Sequence, residues 1–400
     1  MGLEAYRGVL ARRDVRRLLA LSFALRVPLW AGNVVLTLHV VTHLHRSYGM
    51  AGLLTGVATV ALTISGPWRG RLLDRRGLRA TVVPSLVVLT LCWSVAPFVG
   101  YWPLLVLVWV AGLFVVPSFS VVRQGLIHAV DDSQRKSALA IDAVTVEVSF
   151  MVGPVLGVLL ATYVPTSWAL FGCEFCTIAG GVLLWLVNPS LRAPGDAAGA
   201  GPRPRVRSWL TAPVVAVLVT SMAATIVLTG TDVGVVAALR HMGHQSWIGW
   251  ELAVWGFGSA VGALAYGALH RPVPVVVLLA LLAAATLPIA AARNPLTFAA
   301  LVAVAGVFCA PTVTATVDAL SRVVPEAVRG EALGWHGSAM TAGSAVGAPV
   351  AGVAIDAFGW SGAFTVTAAV AMLAAVASLP LQRRRRPVVL AERVVADSPA

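Results

Sequence analysis

Uncharged, predominantly apolar stretches recur along the whole chain, separated by short polar segments that are rich in arginine, glycine and proline. A stretch of about 20 such residues is long enough to cross a bilayer as a helix. A membrane-spanning barrel would instead show short alternating strands, and the sequence has no such pattern. The pattern predicts an all-α membrane protein with twelve transmembrane helices, near residues 18–42, 50–68, 80–100, 103–128, 137–163, 167–188, 210–237, 247–269, 272–292, 296–321, 331–356 and 360–382.

The composition supports a lipid environment. Hydrophobic residues make up 58% of the 400 residues and charged residues only 12%, whereas soluble proteins carry roughly a quarter charged residues. The net charge of +12 comes almost entirely from arginines that lie between the apolar stretches. Such a distribution is typical of membrane topology and does not indicate a nucleic-acid-binding face.

The basic residues also predict the orientation. If the N-terminus is cytosolic, nearly all of them fall in the tails and in the loops on the cytosolic side, and only Arg46, Arg240 and Arg293 fall on the other side. This bias predicts a multi-pass protein of the cell (inner) membrane with both termini in the cytosol. The first apolar stretch is too long for the core of a signal peptide, so we expect it to be retained as the first helix.

A polar, proline-rich segment divides the helices into two groups. We expect a six-helix bundle with a cytosolic tail over residues 1–188, a cytosolic linker over 189–208, a second six-helix bundle over 209–382 and a basic cytosolic tail over 383–400. The linker composition is that of a flexible connection.

The two bundles show traces of a duplication. Residues 135–139 (RKSAL) are echoed by residues 329–333 (RGEAL), and Gly153-Pro154 has a counterpart near Gly347 and Pro349. Repeats of this kind make two pseudo-symmetric bundles and place a substrate site between them, near the membrane midplane.

Residues 70–79 (GRLLDRRGLR) resemble the loop signature of the major facilitator superfamily, Gly-x-x-x-Asp-Arg-x-Gly-x-Arg. The resemblance implies a secondary transporter that works by alternating access. It also implies that this loop is a cytosolic latch that helps to hold the outward-facing state. The alternative is a basic loop that only sets topology. By this resemblance, the latch role is assigned to the residues that match the signature, Gly70, Asp74, Arg75, Gly77 and Arg79.

A second motif lies in the fifth predicted helix. Gly153, Pro154 and Gly157 partly resemble the antiporter signature of the same superfamily, although Ser149 and Val158 depart from it. The resemblance implies efflux by antiport. A proline kink with small packing residues is the alternative.

Charges inside apolar helices are the candidates for proton coupling, because each costs about 2.5–3.5 kcal/mol at the helix centre. We expect Glu147 to carry the proton and Asp142 to be the second candidate, with Arg26 as the counter-charge. Arg123 would alternatively hold Asp142. The two acids are about 140° apart around a helix, so they face different neighbours. A static ion pair that sets helix packing is the other possibility.

Two more intramembrane acids, Asp232 and Glu251, fall toward the outer ends of their helices, where a structural role is favoured over coupling. Two cysteines of the sixth predicted helix, Cys173 and Cys176, form a CxxC, which in an apolar helix indicates packing residues.

Polar groups that would recognise a sugar or a peptide are scarce inside the predicted helices, which favours an amphipathic or drug-like substrate, with proton-coupled efflux as its transport mode. A facilitator or importer of a metabolite is the alternative. The sequence contains no HExxH, GxSxG or Walker motif, so we expect no enzyme, cofactor or metal. The expected partners are a small molecule, protons and lipid, but no nucleic acid, and we expect a monomer. Candidate cavity residues are Asn33, Trp255, Trp335 and His336.

Overall fold

A computed structural model describes residues 2–191, 206–244, 247–269 and 273–383. All regular secondary structure within these ranges is helical. Ten helical segments are long and apolar enough to cross a membrane, and a shorter apolar segment covers Val275–Ala291. The chain is therefore a multi-pass, all-helical membrane protein, as the apolar pattern predicts. Most of the predicted linker 189–208 and nearly all of the tail 383–400 lie outside the described residues.

The helices are numbered here in chain order. They are α1 (Gly2–Ala11), α2 (Arg13–Leu38, continued by a π-helical turn at His39–His43), α3 (Tyr48–Val95), α4 (Tyr101–Leu113), α5 (Ser118–Ala129), α6 (Arg135–Tyr163), α7 (Thr166–Val187), α8 (Val206–Trp209), α9 (Ala212–His241), α10 (Ile248–Ala268), α11 (Val275–Thr286), α12 (Pro295–Gly306), α13 (Cys309–Val323), α14 (Arg329–Phe358) and α15 (Trp360–Arg383).

Helix α3 contains two of the predicted helices. The prediction of a loop over residues 69–79 was wrong, because the chain stays helical through this segment except at Gly77. Gly77 has φ 76° and ψ 179°, a backbone conformation that glycine adopts without steric cost. The break is therefore confined to one residue, and two long helices meet there without a connecting loop.

Two other predicted helices are interrupted. The predicted helix over 103–128 is divided between α4 and α5, with Pro117 at the start of α5. Proline is tolerated at a helix start because its missing N–H is not needed there. The predicted helix over 296–321 is likewise divided between α12 and α13, at Val307 and Phe308. Each predicted helix is thus divided into two shorter helices, while each range still forms one apolar segment long enough to cross a membrane, Tyr101–Ala129 and Pro295–Val323.

The buried side chains form separate cores. One core draws on residues between Leu21 and Leu184, and a second draws on residues between Ala223 and Ala375. A third apolar cluster joins the two parts of the chain, because Ile127 and Leu139 pack there with Trp209 and Val317. We refer to residues 2–191 as the first half and to residues 206–383 as the second half.

The packing of the two halves repeats. In the first half α6 lies close to α2, where a Cβ added at Gly157 would be 2.6 Å from the Ala31 carbonyl oxygen. In the second half α14 lies close to α9, where a Cβ at Gly347 would be 3.0 Å from the Ile226 carbonyl oxygen. Small residues allow helices in lipid to approach closely, and here they do so at matching places.

Candidate functional site

The two halves meet most closely at one end of the molecule, which carries α1, residues 70–79 and the beginning of α14. We call it the motif end. Here Asp74 accepts hydrogen bonds from the backbone N–H groups of Gly330 (2.9 Å) and Glu331 (2.8 Å). These groups belong to the first turn of α14, where N–H groups have no partner within the helix. A carboxylate at this position is also stabilised by the helix dipole.

Ion pairs surround this contact. The Arg71 guanidinium lies 2.6 Å from the carboxylate of Glu331, whose side chain is buried. On the neighbouring helix α5, His128 lies 3.1 Å from Glu326. Each pair joins one half to the other. The family signature directed attention to Asp74, but its partner residues on α14 were not expected from the sequence.

Glycines bring α3 and α14 together. A Cβ added at Gly66 would lie 2.7 Å from the Gly334 carbonyl oxygen, and one at Gly70 would collide with the Gly330 carbonyl oxygen. Closer to the beginning of α3, the Ser338 hydroxyl donates to the Thr63 carbonyl oxygen at 2.6 Å. Helices α3 and α14 can therefore approach each other this closely only because the glycine positions lack a side chain.

The other motif residues have different surroundings. Gly77 forms the break in α3, and Arg75 is exposed. Arg79 is also exposed, with its guanidinium 5.4 Å from the ring of Trp185 in the same half. In the structure, therefore, Gly70 and Asp74 are the motif residues in contact with the second half.

A second set of contacts joins α6 and α1 to α10 at the motif end. Lys136 donates to the Leu269 carbonyl oxygen (2.8 Å) and Ser137 to that of Gly267 (2.9 Å). The hydroxyl of Tyr6 on α1 donates to the Leu264 carbonyl oxygen. Burial raises the pKa of Tyr6 to about 12, so this phenol is a neutral donor at any ordinary pH.

The predicted intramembrane charges come together around Asp142. Its carboxylate lies 2.7 Å from Arg26 and 3.5 Å from Arg123. The side chains of Arg26 and Asp142 are almost completely excluded from solvent, and the Arg26 guanidinium lies 4.3 Å from the ring of Phe119. Both predicted counter-charges therefore reach Asp142. A buried carboxylate held by two guanidinium groups keeps its charge compensated.

Glu147 has different surroundings. It lies five residues beyond Asp142 on α6, a rise of about 7.5 Å, and it is partly buried. Its carboxylate accepts a hydrogen bond from Ser259 of α10 at 2.7 Å. Within the described residues it makes no ion pair. This hydrogen bond crosses from the first half to the second, near the middle of both helices.

Gly256 of α10, in the second half, lies beside Glu147, since a Cβ added at Gly256 would be 4.0 Å from the Glu147 Oε2 atom. Cys309 of α13 is buried in the core of the second half.

A cavity of about 630 Å³ extends along α9, away from the motif end. It is lined by Asp232, Val233, Val236, Ala237 and Arg240. Its walls are mostly apolar, with a carboxylate at one end and an exposed guanidinium eight residues further along the helix. Within the described ranges, no group of three or more His, Cys, Asp or Glu side chains is placed to hold a metal ion.

The four cavity residues predicted from sequence do not line this space. Asn33 is exposed, and Trp255 is buried in the core of the second half. Trp335 packs against the apolar cluster shared by both halves. His336 is completely buried, with its Nε2 atom 2.8 Å from the Thr316 hydroxyl.

The antiporter-like residues lie at the α2–α6 contact. A Cβ at Gly153 would be 3.0 Å from the Val27 carbonyl oxygen, comparable to the clash at Gly157. Pro154 lies between them, and α6 remains helical through it. Close packing of α6 against α2 is therefore the structural consequence of this motif.

Solved structures of the same fold are membrane transporters. The human organic anion transporter MFSD10 (TETRAN) is 16% identical, with a TM-score of 0.68, and the match covers 91% of this chain and 99% of that one. A bacterial homologue of the iron transporter ferroportin, in an outward-facing state, is 12% identical, with a TM-score of 0.74 and coverage of 93% and 100%. The transporter FucP, in the outward conformation, is 15% identical, with a TM-score of 0.69 and coverage of 92% and 98%.

No curated protein matches the sequence at a significant level. The family model described as the Major Facilitator Superfamily matches residues 18–269 and again residues 214–396, which together span most of the chain. This match confirms the resemblance drawn from residues 70–79. The chain belongs to the Major Facilitator Superfamily, a family of multi-pass membrane transporters.

Proposed function

We propose that the protein exports a small amphipathic organic molecule across the cytoplasmic membrane in exchange for protons. In this proposal the chain crosses the membrane twelve times, with Met50–Phe98 counted as two crossings and Val275–Ala291 as one. The crossings form two six-helix bundles, residues 1–188 and 209–382. In this proposal the motif end, the linker 189–208 and both tails face the cytosol, which the distribution of arginines supports.

The state that the structure represents is, in this proposal, outward-facing. The contacts between the halves run from the motif end to about the level of Ser338–Thr63 and Glu147–Ser259. Beyond that level lies the cavity along α9. A transporter closed toward the cytosol and open to the outside would have this arrangement.

The position and partners of Glu147 are the observation that supports this proposal most directly. It is an acidic group in the middle of a membrane helix, it has no cationic partner in the described residues, and its hydrogen bond donor Ser259 belongs to the other half. When the halves rock to open the cytosolic side, that hydrogen bond must break. The water access and local polarity around Glu147 then change, and those changes decide whether the carboxyl group holds a proton.

Asp142 has a positioning role in this scheme. Its two guanidinium partners lie in the same half, so rocking of the halves leaves their contacts intact. The ion pairs of Asp142 connect α2 and α5 to α6, so that Glu147 keeps its position within the first half. Each proton that returns down a membrane potential contributes about 2.3 kcal/mol per 100 mV.

The test uses the purified protein in liposomes with an imposed pH gradient and a panel of organic compounds. We expect uphill flux of at least one compound with the native protein. Glu147→Gln should abolish uphill flux and retain passive exchange, because the amide preserves shape and hydrogen bonding but carries no proton. Asp142→Asn should instead reduce the yield of folded protein, since it leaves a buried guanidinium uncompensated.

The alternative is a facilitator or importer on the same fold. A facilitator predicts flux that follows the substrate gradient and is indifferent to the pH gradient, and Glu147→Gln would then leave transport unchanged. A proton-coupled importer predicts uphill movement of the compound in the same direction as the protons. Either of these outcomes contradicts proton-coupled export.

A further inference from the structure

At the motif end, His128 of the first half meets Glu326 and Arg329 of the second half. The Arg329 Nη1 atom lies 3.2 Å from the His128 Nε2 atom, in the alignment of a hydrogen bond. The Glu326 carboxylate lies 3.1 Å from the same nitrogen and 3.5 Å from Arg329. The side chains of His128 and Arg329 are only 13% and 12% exposed. One ring nitrogen therefore lies between a cation and an anion where the two halves meet.

We propose that His128 is a pH sensor of the motif end. Neutral His128 holds the halves together by accepting a hydrogen bond from Arg329, and protonation of its Nε2 atom releases them. This role does not depend on proton coupling at Glu147 or on which compound is carried. In the orientation proposed above the motif end faces the cytosol, so a fall in cytosolic pH opens the cytosolic side.

The hydrogen bond requires an unprotonated nitrogen. A guanidinium group has N–H donors and no acceptor, so Arg329 can bond to Nε2 only while that atom keeps its lone pair. Neutral histidine with its proton on Nδ1 meets this requirement. Protonation of Nε2 points an N–H group at the guanidinium and adds a second positive charge beside it. Repulsion between the halves then replaces the hydrogen bond, and it is strong because both side chains are largely shielded from water.

Glu326 is the group that favours the opposite outcome, since a carboxylate beside an imidazole stabilises its protonated form. However, Glu326 also lies beside Arg329, three residues away in its own half, so its charge is shared with that guanidinium. Protonated His128 leaves two cations against one carboxylate, whereas neutral His128 leaves one of each. The charge balance therefore favours neutral His128 when the halves are closed.

The other charged groups around this end of α5 have partners of their own. Arg12 lies against Asp131 and the Ala129 carbonyl oxygen, and Arg135 at the start of α6 lies 2.6 Å from Asp132. In the described part of the chain, Glu326 and Arg329 are thus the charged groups in contact with the His128 ring. The remaining charged groups at the contact between the halves, whose partners are given above, are Arg71, Asp74, Lys136 and Glu331.

The direction of the pH dependence follows from these contacts. Histidine side chains in water titrate near pH 6.5, and separation of the halves exposes His128 to water. Closure releases the proton of the imidazolium, so the contact with Arg329 is present above this pH and is lost as the pH falls below it. Between about pH 7.5 and 5.5 the closed-to-open ratio should fall about tenfold, the factor by which the neutral fraction of such a histidine decreases.

Pulsed electron paramagnetic resonance tests this expectation by measuring the distance between the halves. Spin labels are attached to cysteines introduced at Arg76 and Val323, exposed residues of opposite halves near the motif end, in a protein that lacks its four native cysteines. The protein is studied in lipid nanodiscs at several pH values in this range. We expect a longer distance to gain at the expense of the short one as the pH falls.

Variants assign the effect to His128. His128→Gln keeps a neutral acceptor near the Nε2 position and should be closed at every pH tested, whereas His128→Lys carries a permanent charge and should be open throughout. Glu326→Gln should retain the opening at acidic pH. His241→Gln changes an exposed histidine at the far end of α9 and is the matched control, with the native pH dependence. Thermal unfolding of each variant in nanodiscs checks that it is folded.

A native protein whose distances do not change with pH, or which closes further at acidic pH, would overturn the proposal. So would a folded His128→Gln protein with the native pH dependence, a Glu326→Gln protein without any, or a His128→Lys protein that stays closed at pH 7.5, because Glu326 would then hold the cation. Glu147→Gln separates this sensor from proton coupling. Its opening at acidic pH should persist, and loss of that opening would assign the pH dependence to Glu147 instead.

Discussion

Asp74→Asn should weaken the closure of the motif end. The Asp74 carboxylate accepts from two backbone N–H groups at the beginning of α14, with one oxygen for each. Asparagine has a single acceptor oxygen and no charge, so one N–H group loses its acceptor and the other keeps only a neutral one. The interaction with the α14 dipole is lost as well.

The size of the effect follows from these contacts. A hydrogen bond to a charged group contributes about 1.5–3 kcal/mol, and a neutral one about 1 kcal/mol. The dipole interaction adds about 0.3–1 kcal/mol. Because part of the carboxylate is accessible to water, we take the lower values and expect a loss of about 2 kcal/mol. That loss lowers the ratio of closed to open molecules about thirty-fold.

Pulsed electron paramagnetic resonance measures this ratio directly. Spin labels are attached to cysteines introduced at Arg76 and Ala327, which are exposed and lie on opposite halves at the motif end, in a protein that lacks its four native cysteines. The native protein should show mainly the short distance. Asp74→Asn should populate a longer one. Asp14→Asn changes an exposed acid of the first half and should leave the distances unchanged.

A folded Asp74→Asn protein with the native distance distribution would show that the Asp74 carboxylate does not hold the motif end closed. If Asp14→Asn produced the same opening, loss of any negative charge at this end would suffice, and the two hydrogen bonds of Asp74 would not be the cause. A long distance already dominant in the native protein would show that the contacts between α3 and α14 do not hold the resting state.

Two more predictions use the same labels. Gly70→Ala should open the motif end, because its Cβ would collide with the Gly330 carbonyl oxygen, and overpacking of this kind costs about 1–3 kcal/mol. Gly52→Ala in the same helix has free space and should change nothing. Tyr6→Phe removes the hydrogen bond to Leu264, which should lower the closed-to-open ratio about fivefold, for a loss of about 1 kcal/mol. Because the pKa of Tyr6 in the closed state is about 12, the tyrosine stays neutral and this difference should be constant between about pH 6 and 9. Above about pH 10 the closed-to-open ratio should fall, because the water-exposed tyrosine of the open state ionises first.

Membrane character and the approximate positions of the apolar helices could be predicted from the sequence, because both depend on the summed hydrophobicity of one segment at a time. Residues 70–79 also identified the family, which the family model confirms. Such patterns did not predict the single-residue break at Gly77. The charged residues over 69–79 favour a loop, and the sequence does not show that the chain stays helical on both sides of one glycine.

The environment of each buried acid was decided by the tertiary structure. Asp142 and Glu147 are alike in sequence, yet one meets two guanidinium groups of its own half and the other meets a hydroxyl of the opposite half. Trp255, expected in a cavity, is packed in a core, whereas Asp232, expected to be structural, lines the cavity.

The physical reason is that a helix in lipid is apolar on every side. In water, the polar face of a helix shows which side is exposed and which is packed. In a bilayer, lipid and neighbouring helices accept the same side chains, so the sequence determines that a segment crosses the membrane but leaves its rotation and partners open. Those are decided by close packing at glycines such as Gly66 and Gly334, and the packing in turn determines which acid is paired with guanidinium groups and which is not.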